Sequence, residues 1–164
     1  MKLVVKNGFL INQDQKYKCS IGYNGLSKNK TEGDGCTPVG TFKLNKIMYR
    51  PDKINNFKSN LETEIIEKRD GWCDDINSEL YNQKIIFPYE LSAENLYRHD
   101  DLYDLICIID YNLNPIIKGK GSAIFLHVAS SDYSPTHGCV AIKKDELIEI
   151  AKKLNRDSSI QIDD

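Results

Sequence analysis

The sequence predicts a mainly β domain carrying one or two short helices. Three observations support this. An Asn-Gly pair, Asn7-Gly8, sits between two short apolar runs near the start, which is the strongest short-range hairpin signal. Two stretches rich in Ile, Val and Phe, residues 104–111 and 123–130, read as buried strands. Only one stretch shows clear helical spacing: Leu147, Ile150, Ala151 and Leu154 fall at i, i+3, i+4 and i+7, the pattern of an amphipathic helix over residues 145–154.

Along the chain, residues 3–5 and 9–11 form the arms of the first hairpin, and residues 12–15 make a second polar turn. Tyr17, Cys19 and Ile21 alternate with Lys18 and Ser20, a period of two that marks a half-buried strand. The first 22 residues therefore read as a three-stranded meander. Residues 22–38 are a Gly-rich polar loop, and residues 41–49 return to strand character. Residues 50–98 are polar and irregular, with Trp72, Tyr81, Tyr89 and Tyr97 scattered among them. A connection of that length carries function more often than not, so it is expected to be a lid-like insertion. Residues 159–162 add an edge strand.

The chain has 164 residues and a mass of 18.7 kDa, which suits a single domain spanning residues 1–164. Size scaling gives a folded surface of about 8,000 Å², enough burial for a core without staples. Hydrophobic residues make up 40% and charged residues 28%, so a disordered or membrane-embedded chain is excluded. The net charge of −2 argues against nucleic acid as a partner. No apolar run approaches the ~20 residues needed to span a bilayer, and residues 1–8 hold no apolar signal region. Cys19, Cys36, Cys73, Cys107 and Cys139 are widely spaced without a CxxC pair, so neither a zinc ribbon nor a thioredoxin motif is expected. Cys19 and Cys107 read as core.

Chemistry is concentrated in residues 121–141, which hold two of the three histidines. His127 ends an apolar strand, and Cys139 follows Thr136-His137-Gly138. A cysteine nucleophile must become a thiolate, which needs a nearby base or cation. It also needs donors for an acyl oxyanion, and the amides of Gly138 and Cys139 are the obvious ones. A strand-borne His127 facing a loop-borne Cys139 would make a thiolate–imidazolium pair. Two other readings stand beside this one. A buried cysteine is commonly a small hydrophobe, and His127, His137 and Cys139 could ligate a metal with Asp132 or Cys36 as a fourth ligand. His99, in a run of charged residues, reads as solvated.

Thr136-His137-Gly138-Cys139 resembles the [ST]HGC signature of the L,D-transpeptidase catalytic domain (YkuD) family, and His127 matches its upstream element. Residues 32–42, including Thr37-Pro38-Val39-Gly40-Thr41-Phe42, resemble the family's TPxGxF segment, about 100 residues earlier. Residues 71–75, 102–105 and 121–127 look like the short, stand-alone proteobacterial branch. The resemblance implies a β-sandwich-like, mixed-sheet fold with the cysteine in a covered cleft. It implies a peptidoglycan L,D-transpeptidase that needs no cofactor or metal. Cys139 would be the nucleophile and His127 its base, with a backbone carbonyl, plausibly that of Val128, fixing the imidazole tautomer. His137, Gly138 and Thr136 would line the oxyanion side. Tyr133, Trp72 and Arg98 are cleft candidates for the substrate, and Thr37, Pro38 and Gly40 read as structural turn residues beneath the site.

Two features depart from the family pattern. Eight residues separate His127 from Thr136, fewer than usual, and Ala141 stands where Arg or Asn is usual. They motivate a non-catalytic cell-wall-binding relative as one alternative, and water as the acceptor would give another, an L,D-carboxypeptidase. A sortase-like reading would need a catalytic arginine after the cysteine, and Arg156 lies beyond the helix. The expected partners are peptidoglycan stem peptides, with neither nucleic acid nor membrane insertion. The resemblance points to the periplasm or cell envelope, although this chain shows no signal peptide and a cytoplasmic location stays open.

Overall fold

The structure is a computed structural model and describes residues 1–163. Strands β1 (Lys2–Lys6), β2 (Phe9–Asn12) and β3 (Gln15–Ser20) form the opening meander. Asn7 and Gly8 turn the first hairpin, both with positive φ (52° and 77°), as the tight hairpin turn requires. Two short strands, β4 (Leu26–Ser27) and β5 (Thr37–Pro38), pair with each other in the Gly-rich loop. The ten-residue β6 (Gly40–Tyr49) follows, then β7 (Glu62–Ile65), β8 (Asp70–Cys73), β9 (Lys84–Ile86) and β10 (Ala93–Asn95). The chain closes with β11 (Leu105–Ile109), β12 (Phe125–Val128), β13 (Val140–Ile142), helix α1 (Lys144–Lys153) and β14 (Ser159–Ile162).

The main sheet runs β11-β12-β13-β3-β2-β1-β14-β6-β7, and β11 also pairs with β6. These pairings make a closed circuit. Strand β6 serves it at two places, with Gly40–Lys43 paired to β14 and Leu44–Tyr49 to β11. Parallel and antiparallel pairs are mixed, since β1–β14 and β12–β13 are parallel. The domain is thus mainly β with one helix, as the sequence predicts.

Two differences from the sequence reading are structural. Residues 159–162 are not an edge strand: β14 lies between β1 and β6 and buries Ile160 and Ile162 completely. Residues 50–98 are not irregular throughout. They contain β7 and a separate three-stranded sheet, β10-β8-β9, whose strands of three or four residues are too short to show a period.

Strands β11 and β12 are buried on both faces, and their alternation sorts the interior into two clusters. Leu105, Cys107, Ile109, Leu126 and Val128 join the main core, which α1 covers with Leu147, Ile150 and Ala151. Ile106, Ile108 and Phe125 point the other way, into a second cluster with Met48, Trp72, Leu96, Tyr103 and Cys139. The candidate site residues Cys139 and His127 lie on that second face.

Candidate active site

A cavity of about 580 Å³ opens over the second cluster. Its walls include His127, Thr136, His137 and Cys139, with Lys30, Glu94 and Arg98. Three segments distant in sequence therefore meet around one cysteine.

The segment bearing Cys139 is fixed by hydrogen bonds from both motifs. Thr136 Oγ1 donates to the carbonyl of Cys139 (2.7 Å) and accepts from the amide of Gly138 (3.1 Å). Thr37 Oγ1 donates to the same Cys139 carbonyl (3.3 Å) and accepts from the Gly22 amide (2.8 Å). The amide of Thr136 donates to Ile21 and that of Tyr23 to Thr136. The loop bearing Cys139 is thus pinned to the loop that follows β3. Gly138 has φ +136°, and a Cβ there would lie 2.9 Å from the Cys36 carbonyl. Only glycine fits both the dihedral and the space.

His127 is buried on β12. Its Nδ1 is 2.8 Å from the carbonyl oxygen of Val128. A carbonyl only accepts, so Nδ1 carries the proton and Nε2 has a free lone pair when the ring is neutral. The ring packs edge-on against Tyr103, with centroids 5.2 Å apart. Burial depresses the His127 pKa to about 4, although the Val128 and Leu102 carbonyls favour the protonated ring.

Cys139 Sγ donates to the carbonyl of Ala123 (3.1 Å) and accepts from the amide of Phe125 (3.3 Å). Burial pushes its thiol up to about 12, and the nearby Glu94 carboxylate adds to this. The expected thiolate–imidazolium pair is therefore not the resting state. Desolvation disfavours both charges, so a neutral thiol and a neutral imidazole share the cavity, and the thiol proton is held by the Ala123 carbonyl.

The remaining candidates separate. His137 is exposed at the cavity mouth, edge-on to Tyr23 at 5.4 Å. Arg98 is on the wall, but its guanidinium is already held by both oxygens of Asp100 (2.8 and 2.6 Å). Trp72 does not line this cavity. It packs edge-on against Phe125, and its Nε1 donates to Asn82 (2.9 Å), so it supports the floor from below. Tyr133 also lies off this cavity, on a neighbouring depression, with Lys18 over its ring at 4.4 Å. The Gly138 amide, expected to face an oxyanion, is instead committed to Thr136.

Sequence reasoning missed two wall residues, Glu94 and Lys30, and one supporting residue, Asn82. Glu94 receives a hydrogen bond from Tyr103 (2.6 Å), and desolvation raises its pKa. Lys30 is 4% exposed and pairs with Asp34 at 2.7 Å. Asn82, fully enclosed, accepts from the amide of Ala123 (3.0 Å) and donates to the carbonyl of Asn112 (2.7 Å), so it positions the carbonyl that holds Cys139. None of these has a local sequence signal beyond a charge or amide in a polar stretch. Among the described residues, no group of three or more His, Cys, Asp or Glu is placed to hold a metal ion.

The fold and site define a class, β-rich domains with one cysteine and one histidine buried on a shared cavity. Within that class the family is specific. The family model of the L,D-transpeptidase catalytic domain, YkuD, matches residues 2–162, and the chain belongs to that family. Comparison with curated proteins returns no match. Membership brings L,D-transpeptidase-family function in peptidoglycan. No helix among the described residues is long and apolar enough to cross a membrane.

Proposed function

We propose that the protein is a peptidoglycan L,D-transpeptidase acting at the cell envelope. Cys139 attacks the carbonyl on the L-centre side of diaminopimelate in a stem peptide. His127 Nε2 takes the thiol proton and returns it to the leaving D-amino acid's amine. The acyl-enzyme is then resolved by an amine of a second stem, giving a cross-link. One observation carries this reading: Cys139 and His127 share a cavity, and the Val128 carbonyl leaves Nε2 free as a base.

The neutral resting pair fits such a cycle. Proton transfer is coupled to attack, so no buried charge need persist before substrate arrives. The Phe125 amide already faces Sγ and stabilises the sulfur as its charge grows. The test is mass spectrometry after incubation with disaccharide-tetrapeptide, beside a Cys139→Ala control. Cross-linked dimers formed only with Cys139 are the expected result. D-Alanine loss without dimers would make the enzyme an L,D-carboxypeptidase. No product and no acyl-enzyme from folded protein would leave a cell-wall-binding relative.

A further inference from the structure

The oxyanion side of the cavity is one backbone donor short. Acyl transfer through a tetrahedral intermediate places a negative charge on the former carbonyl oxygen, and that oxygen needs donors already in place. The Gly138 amide donates to Thr136 Oγ1, which removes the natural partner of the Cys139 amide. A different group stands at that position. Lys30 Nζ would lie 3.3 Å from a Cβ built on Gly138, so the ammonium sits directly over the residue that precedes the nucleophile.

The position of Lys30 is built. Its side chain passes Gly121, where a Cβ would meet Lys30 Cε at 2.7 Å, so two glycines clear a path for one lysine. Asp34 anchors the far side: Oδ1 holds Lys30 Nζ (2.7 Å) and the Cys36 amide (2.8 Å), and Oδ2 holds the Thr31 amide (2.8 Å). Asp34 spreads its charge over three donors, whereas the ammonium has three N–H groups and Asp34 is its one ion-pair partner among the described residues. Lys30 also lines the same cavity as Cys139, and its charge favours the ionised sulfur. A surface ion pair would need none of this: burying an ammonium is expensive unless it is paired and hydrogen-bonded, and here Asp34 supplies one of three possible acceptors.

We propose that Lys30 is a catalytic residue of this site, donating a hydrogen bond from Nζ to the developing acyl oxyanion alongside the Cys139 amide. The inference rests on Cys139 as the nucleophile. As Sγ bonds to the carbonyl carbon, the C=O π pair moves onto oxygen and is held by Nζ. On collapse the C=O re-forms, the C–N bond breaks and the leaving amine takes the proton from His127. Lys30 neither gains nor loses a proton.

The experiment compares two reactions of Cys139 at pH 9, each read by peptide mass mapping at that residue. Iodoacetamide alkylates sulfur by displacement at a saturated carbon and forms no oxyanion. p-Nitrophenyl acetate acylates it through one. Lys30→Met is expected to slow acylation about 100-fold relative to alkylation, the usual cost of one oxyanion donor, and Lys30→Arg to recover part of the loss. Because Lys30→Met strands the Asp34 carboxylate, the double variant Lys30→Met with Asp34→Asn is measured too, and the same ratio is expected. Equal slowing of both reactions, or no change in either, would overturn the proposal and leave Lys30 as a loop staple. Wild-type protein that acetylates at Cys139 with this Lys30 dependence, yet leaves disaccharide-tetrapeptide untouched, would sink the transpeptidase reading while keeping the oxyanion role.

Discussion

The two faces of strands β11 and β12 each bury a cysteine, and the contrast shows what turns a core thiol into a candidate nucleophile. Cys107 points to the α1 side, fully enclosed, with no hydrogen-bond partner among the described residues, and burial alone raises its pKa. Cys139 belongs to the opposite cluster and is nearly as buried, with its pKa also raised. Desolvation therefore does not distinguish them. Polar company does: Cys139 has a carbonyl, an amide, a buried imidazole and an ammonium around one cavity, whereas Cys107 has aliphatic neighbours. A site of this kind is latent, since its charges appear only when substrate makes them worth forming.

The sharpest way to break the contrast is to remove each thiol. Cys139→Ala is expected to abolish acyl transfer while changing stability by about 1 kcal/mol or less, a shift of about 2–4 °C in Tm for a chain this size. Cys107→Ser is expected to do the reverse. It buries a hydroxyl without a partner, which costs about 1–3 kcal/mol, and leaves turnover per folded molecule unchanged. Product analysis and thermal melts on both variants decide it, and activity surviving in Cys139→Ala removes the contrast altogether.

The second test concerns the base. His127→Ala is expected to slow acylation by a carbapenem or by stem peptide about 10²–10⁴-fold, the usual range for a positioned acid–base group. His137→Ala should cost less than tenfold, because that ring is exposed at the mouth. Single-turnover rates from intact mass measure both, and the opposite order would exchange their roles.

How much of this was legible in the sequence follows from how local each signal is. The Asn7-Gly8 turn, the strand alternation and the α1 stripe are set by neighbours in the chain, so pattern reading finds them. Cys139 and His127 were legible because their motifs are contiguous. Trp72 was not: its indole is satisfied by Asn82 and its ring by Phe125, and nothing near position 72 distinguishes a floor residue from a wall residue. Tyr133 lies between the two motif elements in sequence, yet its positive φ of 57° and the Lys18 contact carry it off the cavity. Lys30 and Glu94 carry no local signal, because burial of a charge is decided by segments far away. Burial of the pair was out of reach for the same reason, since the enclosing walls come from β10, the segment that follows it and the Gly-rich loop.

A smaller effect tests that ionisation state directly. With a neutral thiol near pKa 12, iodoacetamide labelling of Cys139 in the free protein is expected to rise about tenfold per pH unit between pH 6 and 9, as the thiolate fraction does. Peptide mapping separates it from the other four cysteines. A rate already level from pH 6 upward would mean that the thiolate–imidazolium pair is preformed, and the two buried cysteines would then differ in charge and not only in surroundings.

The smallest expected effect is on stability. His127 titrates near 4 when folded and near 6.5 when unfolded, so below pH 6.5 the unfolded chain binds more protons than the native state. Its contribution is present in full above 6.5, is lost as pH falls toward 4, and changes no further below that. Cys139 has the opposite sign: its folded pKa, about 12, lies above the ordinary thiol value of 9.0, so its contribution is full below pH 9 and is lost at higher pH. Between 6.5 and 9 neither group weakens the fold. Melting curves from pH 4 to 8 should fall by several degrees on the acid side, and His127→Gln should fall less steeply over the same interval, since a buried imidazole no longer has to resist charging. An identical acid slope in that variant would place the His127 ring in contact with water in the native state. The cavity would then be wetter than its walls imply, and the difference between the two faces of the sheet would rest on the Ala123 carbonyl, the Phe125 amide and Lys30.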